Sequence, residues 1–349
     1  MKIFKSILFL LLSITLIYSC SESYDILPSE QPILITANNT TSLIDNTVIL
    51  KATQQGEDVT AQTSFYINDE LIEGNAYTSS IPGEYVAKAE YDNFFSEALI
   101  ITYHDGSEIN FKKRVLIEDY TGTWCGYCTR VAHAIEEVFS NTDNAVAVAI
   151  HRDSSNPNSG TYDPFNYDAS ELESTLDAAG YPKGFLNRKT LWTSPEPENV
   201  DQVLNLSQGE NPKLGLAIDN EISGGNITID VSVKKAKNFN QLKLVVYVLE
   251  NGLIYPQQNY TNYYDAVNPV PDFEHNHVLR ETLTSLMGDL IPEAEFENDV
   301  YTKSYSISVP ANVENAEELE FVAFVIDEDG NAINVRKADK NTTQDFEQI

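Results

Sequence analysis

The sequence predicts a multi-domain protein of mixed class, with an α/β centre between two all-β parts. Its 349 residues exceed what one hydrophobic core usually holds, so two or three domains are expected. Short runs of alternating apolar and polar residues recur towards both ends of the chain, which is typical of β-sandwiches. Between them a strand-like run leads into two cysteines and then into a helix-like stretch, which indicates a layered α/β unit.

The N-terminal segment is expected to serve export rather than folding. A basic start precedes an apolar run at 7–17, which is short for a membrane-spanning helix and typical of a signal sequence. The segment ends at Ser19-Cys20, which resembles a bacterial lipobox and implies cleavage before Cys20 with lipid attached to that cysteine. We therefore expect a signal peptide at 1–19 and a polar tether at 20–30. The alternative is an ordinary secretory signal with an accidental cysteine.

Acidic residues dominate the charged part of the composition. The chain holds 53 Asp and Glu against 22 Lys and Arg, a formal charge of −31, and loss of 1–19 removes two lysines and lowers it to −33. Such a charge repels nucleic acid and anionic membrane surfaces, so we exclude both as partners. The acids are spread along the chain, and a solvated surface explains them.

Residues 31–105 are predicted to form a small β-sandwich without helices. Its expected strands are the alternating runs at 32–35, 47–52, 63–67, 83–89 and 97–103. The stretch 56–60 followed by 65–68 resembles the immunoglobulin-like modules of bacterial surface proteins. The resemblance, together with the lack of a chemistry-bearing cluster in this stretch, favours a spacer.

The middle segment, 111–211, alternates strands and helices. Its expected strands are at 114–118, 145–150 and 185–188, and its expected helices at 129–139, 169–179 and 198–206. The last segment, 212–349, returns to alternating runs and predicts a second β-sandwich or jelly roll. Those runs lie at 214–218, 227–233, 242–249, 301–309 and 319–326.

Two cysteines lie three residues apart in the pentapeptide that starts at Trp124, namely Cys125 and Cys128. A preceding strand and a following helix make this pair typical of a thiol–disulfide exchange site on a thioredoxin-like fold. A helix N-terminus favours an anion, so we expect a lowered pKa for the Cys125 thiol and assign it the attack. Cys128, one turn further, would resolve the mixed disulfide. Trp124, with Tyr127 and Tyr181, is expected to form the apolar rim where substrates dock.

Several segments resemble the thioredoxin-like outer-membrane lipoproteins of Gram-negative bacteria, the twenty-eight-kilodalton outer-membrane-protein family. They are 115–128, 180–184 with 187–188, 246–252 and 275–280. The resemblance covers the middle and last segments and implies a thioredoxin-like fold plus a β-sandwich. It also implies that Asp119, six residues before Cys125, is a buried acid that handles the proton of the inner cysteine. Pro182 would be a cis proline beside the cysteine pair. Gly126-Tyr127 departs from the Gly-Pro of ordinary thioredoxins, which leaves the redox potential open.

Three explanations compete for the cysteine pair: a redox site, half of a zinc site, or a static disulfide. Zinc usually needs four ligands, and the sequence has no second Cys-x-x-Cys. A static disulfide that closes so short a loop stabilises little. We therefore favour the redox site. His275 and His277 resemble a metal pair on a strand but lack a third ligand, so we expect a structural role, with a hydrogen bond to Arg280 or Glu281.

The sequence thus predicts a lipid-anchored protein of the outer membrane, on its periplasmic or surface face. Its expected reaction is thiol–disulfide exchange with protein or peptide thiols and disulfides, without a dissociable cofactor or a metal. The alternative is a non-catalytic cell-surface binding or adhesion lipoprotein, in which the cysteine pair is a structural disulfide.

Overall fold

The N-terminal part of the structure is a sandwich of two β-sheets around one apolar core. The computed structural model describes residues 32–105, 109–178 and 180–349, so the expected signal peptide, Cys20 and the tether lie outside the described residues. Ten strands build the sandwich: β1 (Leu34–Ala37), β2 (Thr41–Leu43), β3 (Thr47–Gln54), β4 (Glu57–Asp58), β5 (Ser64–Ile67), β6 (Glu70–Leu71), β7 (Ala76–Thr78), β8 (Gly83–Tyr91), β9 (Phe94–Phe95) and β10 (Leu99–His104).

Alternation along these strands explains the sandwich. β3 buries Val48, Leu50 and Ala52 and turns the intervening residues outward, as expected for a strand with one face on a core. β1, β3, β4 and β7 form one sheet and the other six strands form the second. Their inner faces share one core, so the predicted all-β sandwich is present.

The central segment contains strands and helices in alternation. In chain order they are β11 (Val115–Thr121), α1 (Thr129–Asn141), β12 (Ala145–His151), α2 (Ser170–Thr175), β13 (Lys183–Leu186), β14 (Thr190–Leu191) and α3 (Val200–Leu206). β11 and β12 are parallel and joined through α1, whereas β13 runs antiparallel to β11 and β14 antiparallel to β13. α1 and α3 cover one face of these strands through Val131, Val138 and Val203.

The C-terminal segment is again built of strands. They are β15 (Leu214–Ser223), β16 (Asn226–Lys235), β17 (Leu242–Glu250), β18 (Leu253–Ile254), β19 (Glu274–His275), β20 (Val278–Thr282), β21 (Asp289–Ile291), β22 (Val300–Ser308), β23 (Leu319–Ile326) and β24 (Ala332–Asp339). Short 3-10 turns lie at Thr60–Gln62, Glu196–Asn199, Tyr264–Ala266, Glu293–Glu295 and Ala316–Glu318. The three-stranded sheet β15–β16–β22 packs on β17 and β23, which gives this segment a sandwich core.

One nine-stranded sheet joins the central and C-terminal segments. Its order is β14-β13-β11-β12-β20-β17-β23-β24, with β21 beside β17. The two segments meet where Ala149 of β12 pairs in parallel with Val278 of β20. The central and C-terminal segments therefore share one sheet, although the sequence suggested a domain boundary between residues 211 and 212. Within the described ranges, no helix is both long and apolar enough to cross a bilayer.

Candidate functional site

The two cysteines lie in a turn between a buried strand and a helix. β11 is buried along its whole length, and the chain turns at Gly122 before α1 starts at Thr129. Cys125 and Cys128 form a disulfide, with Cα atoms 5.4 Å apart. Cys128 occupies the N-cap position of α1, so Cys125 lies one turn ahead of the helix. Both cysteines are buried, with 5% and 2% of their surface exposed.

Asp119 lies behind the disulfide. It is 3% exposed, and its Oδ1 has no hydrogen-bond partner in the part of the chain that the structure describes. Burial, reinforced by the negative charge of Glu196, raises the pKa of Asp119 well above its usual value. Asp119 and Cys128 line the same cavity of about 160 Å³. Asp119 and the inner cysteine therefore face a common cavity, and burial disfavours the charged form of the carboxyl group.

The neighbouring residue Glu118 faces the other side of the sheet. It pairs with Arg188, whose Nη2 lies 2.8 Å from Glu118 Oε1 and also donates to Tyr247 Oη at 2.6 Å. Both charged side chains are buried. This pair anchors β11 to β13 and β17, so it supports the strand that carries Asp119.

Trp124, which precedes Cys125 in the chain, packs on Tyr181, which precedes Pro182. The rings of Trp124 and Tyr181 meet edge-on with centroids 5.6 Å apart, and Trp124 Nε1 donates to the Arg152 carbonyl at 2.7 Å. The Tyr181–Pro182 peptide bond is cis. Tyr181 Oη donates to Glu173 at 2.6 Å, which fixes the ring beside Trp124. The structure therefore brings these two aromatic residues together and leaves both half-buried.

Tyr127 points elsewhere and contacts a segment that the sequence analysis did not implicate. Its ring is 54% exposed and meets Tyr260 edge-on at 5.7 Å. Tyr260 belongs to the connection between β18 and β19, residues 257–270, which we call the strap. The strap lies over the cysteine turn: Gln258 N–H donates to the Thr123 carbonyl at 2.9 Å, and Tyr260 N–H donates to the Gly126 carbonyl at 2.6 Å.

A buried hydrogen-bonded pair, His151 and Asp163, holds the other end of the cysteine turn. His151 Nδ1 lies 2.9 Å from Asp163 Oδ2, which also accepts the Thr123 N–H at 2.8 Å. Burial alone would raise the pKa of Asp163, but His151 and the N–H groups of Thr123 and Phe165 lower it overall. No sequence spacing predicted this pair.

The two histidines considered as a metal pair have separate partners. His275 Nε2 lies 3.1 Å from the Tyr255 carbonyl, and His277 Nδ1 lies 2.5 Å from Glu320 Oε1, so the expected bonds to Arg280 or Glu281 do not form. Burial and the nearby His151 lower the pKa of His275 to about 3, which keeps its ring neutral. Among the described residues, no group of three or more His, Cys, Asp or Glu side chains could hold a metal ion.

The architecture has a counterpart among solved structures. HBP35 of Porphyromonas gingivalis superposes with a TM-score of 0.51 at 20% identity, over 68% of this chain and 79% of that one. This similarity concerns the fold alone. A β-glucosidase from Kluyveromyces marxianus in complex with glucose matches over 86% of this chain and 45% of its own, at 12% identity, but its TM-score of 0.18 is too low to indicate a shared fold.

Sequence comparison identifies the family. No curated protein sequence matches the chain. The family described as outer membrane protein Omp28 matches residues 169–344, which include Pro182 and the strap and exclude the cysteine pair. The match covers half of the sequence, and the chain therefore belongs to the Omp28 family of outer membrane proteins.

Proposed function

We propose that this protein carries out thiol–disulfide exchange on protein partners through Cys125 and Cys128. One observation carries the proposal: the two cysteines form a disulfide whose inner member shares a cavity with the buried, unpartnered carboxyl group of Asp119. A structural disulfide needs no proton donor, whereas exchange does, because each thiolate that leaves must be protonated or stabilised.

The proposed chemistry needs no dissociable cofactor. A partner thiolate attacks Cys125 Sγ, the bond between the two cysteine sulfurs breaks, and Cys128 leaves as a thiolate that takes the proton of Asp119. The second partner thiol then attacks the mixed disulfide, so the partner is oxidised to a disulfide and Cys125 leaves as a thiolate. The reverse sequence reduces a partner disulfide, with Cys125 as the attacker, Cys128 as the resolver and Asp119 as the proton acceptor.

Strand order supports a thioredoxin-like centre. The arrangement β14-β13-β11-β12, with only β11 and β12 parallel and α1 between them, is the order that such a fold requires. In this proposal Pro182 shapes the docking edge, and the aromatic side chains of Trp124, Tyr181 and Tyr127 contact the partner. The N-terminal sandwich is the immunoglobulin-like spacer, and the C-terminal strands form the second sandwich or jelly roll.

The proposed location is the outer membrane, with lipid attached at Cys20 after removal of residues 1–19. Membership of an outer-membrane protein family supports the cell envelope. The apolar run at 7–17 and the Ser19-Cys20 pair support the anchor, and the formal charge of −31 argues against nucleic acid as a partner.

A trapping experiment tests the exchange reaction. In Cys128→Ser the resolving thiol is absent, so Cys125 should accumulate as a mixed disulfide with partners from a cell-envelope extract. The matched control Cys125→Ser should trap none through Cys128, which is 2% exposed. If neither variant yields a mixed disulfide that a reductant releases, the exchange proposal is wrong.

Burial of both sulfurs favours a second candidate, a non-catalytic surface binding or adhesion protein with a structural disulfide. The reduction potential discriminates the two. Exchange proteins lie between about −270 and −120 mV, whereas structural disulfides lie below about −300 mV. A value in the lower range, together with no reduction of insulin, would support the second candidate.

A further inference from the structure

The strap is attached to the cysteine turn by backbone and side-chain hydrogen bonds. Besides its two backbone bonds to Thr123 and Gly126, the buried amide of Gln257 donates to the Gly122 carbonyl at 3.2 Å and to the Cys125 carbonyl at 2.9 Å. The bonds from strap residues 258–269 to anything outside the strap, within the described part of the chain, all end between Thr123 and Glu136. The hydrogen bonds of the strap therefore lead to the cysteine turn and its helix, while the ring of Tyr264 also packs on Phe273 with centroids 5.1 Å apart.

Internal bonds give the strap a shape of its own. Gln257 and Val270 exchange two backbone hydrogen bonds, at 3.0 and 2.9 Å, which close the loop at its base. Inside it, the Asn259 amide donates to the carbonyls of Tyr263 and Val267 at 2.8 and 3.2 Å. A loop closed at its base and braced inside can keep its shape when its hydrogen bonds to the cysteine turn and α1 break.

Tyr260 is the closest cover of the cysteine turn. Its ring lies so near Gly126 that a Cβ atom placed there would be 2.2 Å from the ring. Only a residue without a side chain fits under this ring, which gives the glycine of the cysteine motif a packing role. The ring itself is 60% exposed, so it covers the turn without belonging to a core.

We propose that the strap occupies the surface on which an extended polypeptide segment of the exchange partner docks, so that the protein is closed until the strap is displaced. This inference rests on the proposed exchange function and names its substrate class. The strap itself shows what fits: two backbone N–H groups two residues apart, directed at the carbonyls of Thr123 and Gly126, and an aromatic side chain over Gly126 and against Tyr127. A partner segment that replaces these contacts would form the same two backbone hydrogen bonds and displace the strap from the cysteine turn.

Reduction by a small phosphine tests the cover without any protein partner. The oxidised full chain is exposed to tris(2-carboxyethyl)phosphine, and free thiols are counted over time by alkylation and mass spectrometry. Tyr260→Ala should be reduced at least tenfold faster than the wild type. Phe95→Ala is the matched control, because Phe95 is also exposed and also packs on one tyrosine, and its rate should stay unchanged.

Gly126→Ala provides a second variant, which leaves the Tyr260 side chain intact but adds a methyl group that pushes its ring away. It should also be reduced faster, and the double variant should gain nothing beyond the single ones, because both remove the same contact. Equal reduction rates in the wild type, Tyr260→Ala and Gly126→Ala would contradict the proposal that Tyr260 covers the disulfide.

A synthetic peptide tests the docking surface itself. A peptide with the sequence of residues 256–262 should slow the reduction of Tyr260→Ala towards the wild-type rate, and the same peptide with alanine in place of its tyrosine should not. If the two peptides have the same effect on the reduction rate, the proposed docking surface is wrong. These rates do not depend on trapping, so the exchange proposal and the strap proposal can fail separately.

Discussion

Replacing Asp119 by asparagine should stabilise the oxidised protein more strongly as the pH rises. The folded-state pKa of Asp119 is raised above its usual value of 3.8, so the native state binds a proton that the unfolded state releases. Wild-type stability from this group is therefore complete below pH 3.8 and is lost as the pH climbs towards the folded-state pKa. The loss is about 1.4 kcal/mol per pH unit in that window. The difference between the two proteins therefore grows with pH until the folded-state pKa of Asp119 is reached.

The quantity to measure is the difference in free energy of unfolding between Asp119→Asn and the wild type. Urea titrations of the oxidised proteins at half-unit steps from pH 5 to pH 7 keep the samples above the isoelectric point near 4.3. Taking the difference between the two proteins cancels the pH-dependent contributions of the other acidic residues. The cost of burying the asparagine amide does not vary with pH, so it leaves the slope of the difference against pH unchanged. Glu84→Gln, which removes one exposed negative charge, is the control. A difference that does not rise with pH would refute the protonated state of Asp119.

Three further substitutions test the framework of the fold by urea unfolding at pH 7. Arg188→Met should cost about 3–5 kcal/mol because it leaves Glu118 charged and buried, and the double change with Glu118→Gln should restore most of that loss. Gly215→Ala should cost about 1–3 kcal/mol because its Cβ would lie 2.2 Å from an aromatic ring, whereas Gly160→Ala meets nothing within 4 Å and should be neutral. Burial opposes the charge of Glu320, but its histidine and lysine partners lower its pKa to about 2. Glu320→Gln should therefore cost about 3 kcal/mol of unfolding free energy. The stability that this group contributes is present above pH 4.5 and is lost as the pH falls towards 2.

Local pattern was enough to predict the elements that carry the site. The apolar run at 115–117 becomes β11, and the helix expected at 129–139 is α1, which extends two residues further to Asn141. Both follow from short-range periodicity. The helix expected at 169–179 forms only over Ser170–Thr175, since a polar stretch with one buried leucine supports little helix. The buried acid was expected from family resemblance, because nothing in its own spacing distinguishes Asp119 from Glu118.

The strap could not be predicted from the sequence. Its residues are polar and aromatic without any period, and its contacts join positions more than a hundred residues apart, such as Gln258 with Thr123. The same applies to Arg188, whose partner Glu118 is selected by the antiparallel pairing of β13 with β11. Long-range partners depend on which strands become neighbours, and a single sequence does not encode that choice in a readable form.

The shared sheet makes the central and C-terminal segments depend on each other. The cysteine turn belongs to the central segment, while its cover and the strand beside β12 come from the C-terminal segment. A chain that carried residues 111–211 alone would have an uncovered disulfide, and the edge of β12 would lack its neighbouring strand β20. A stable fragment that carries the cysteine motif therefore has to include the strands that follow it.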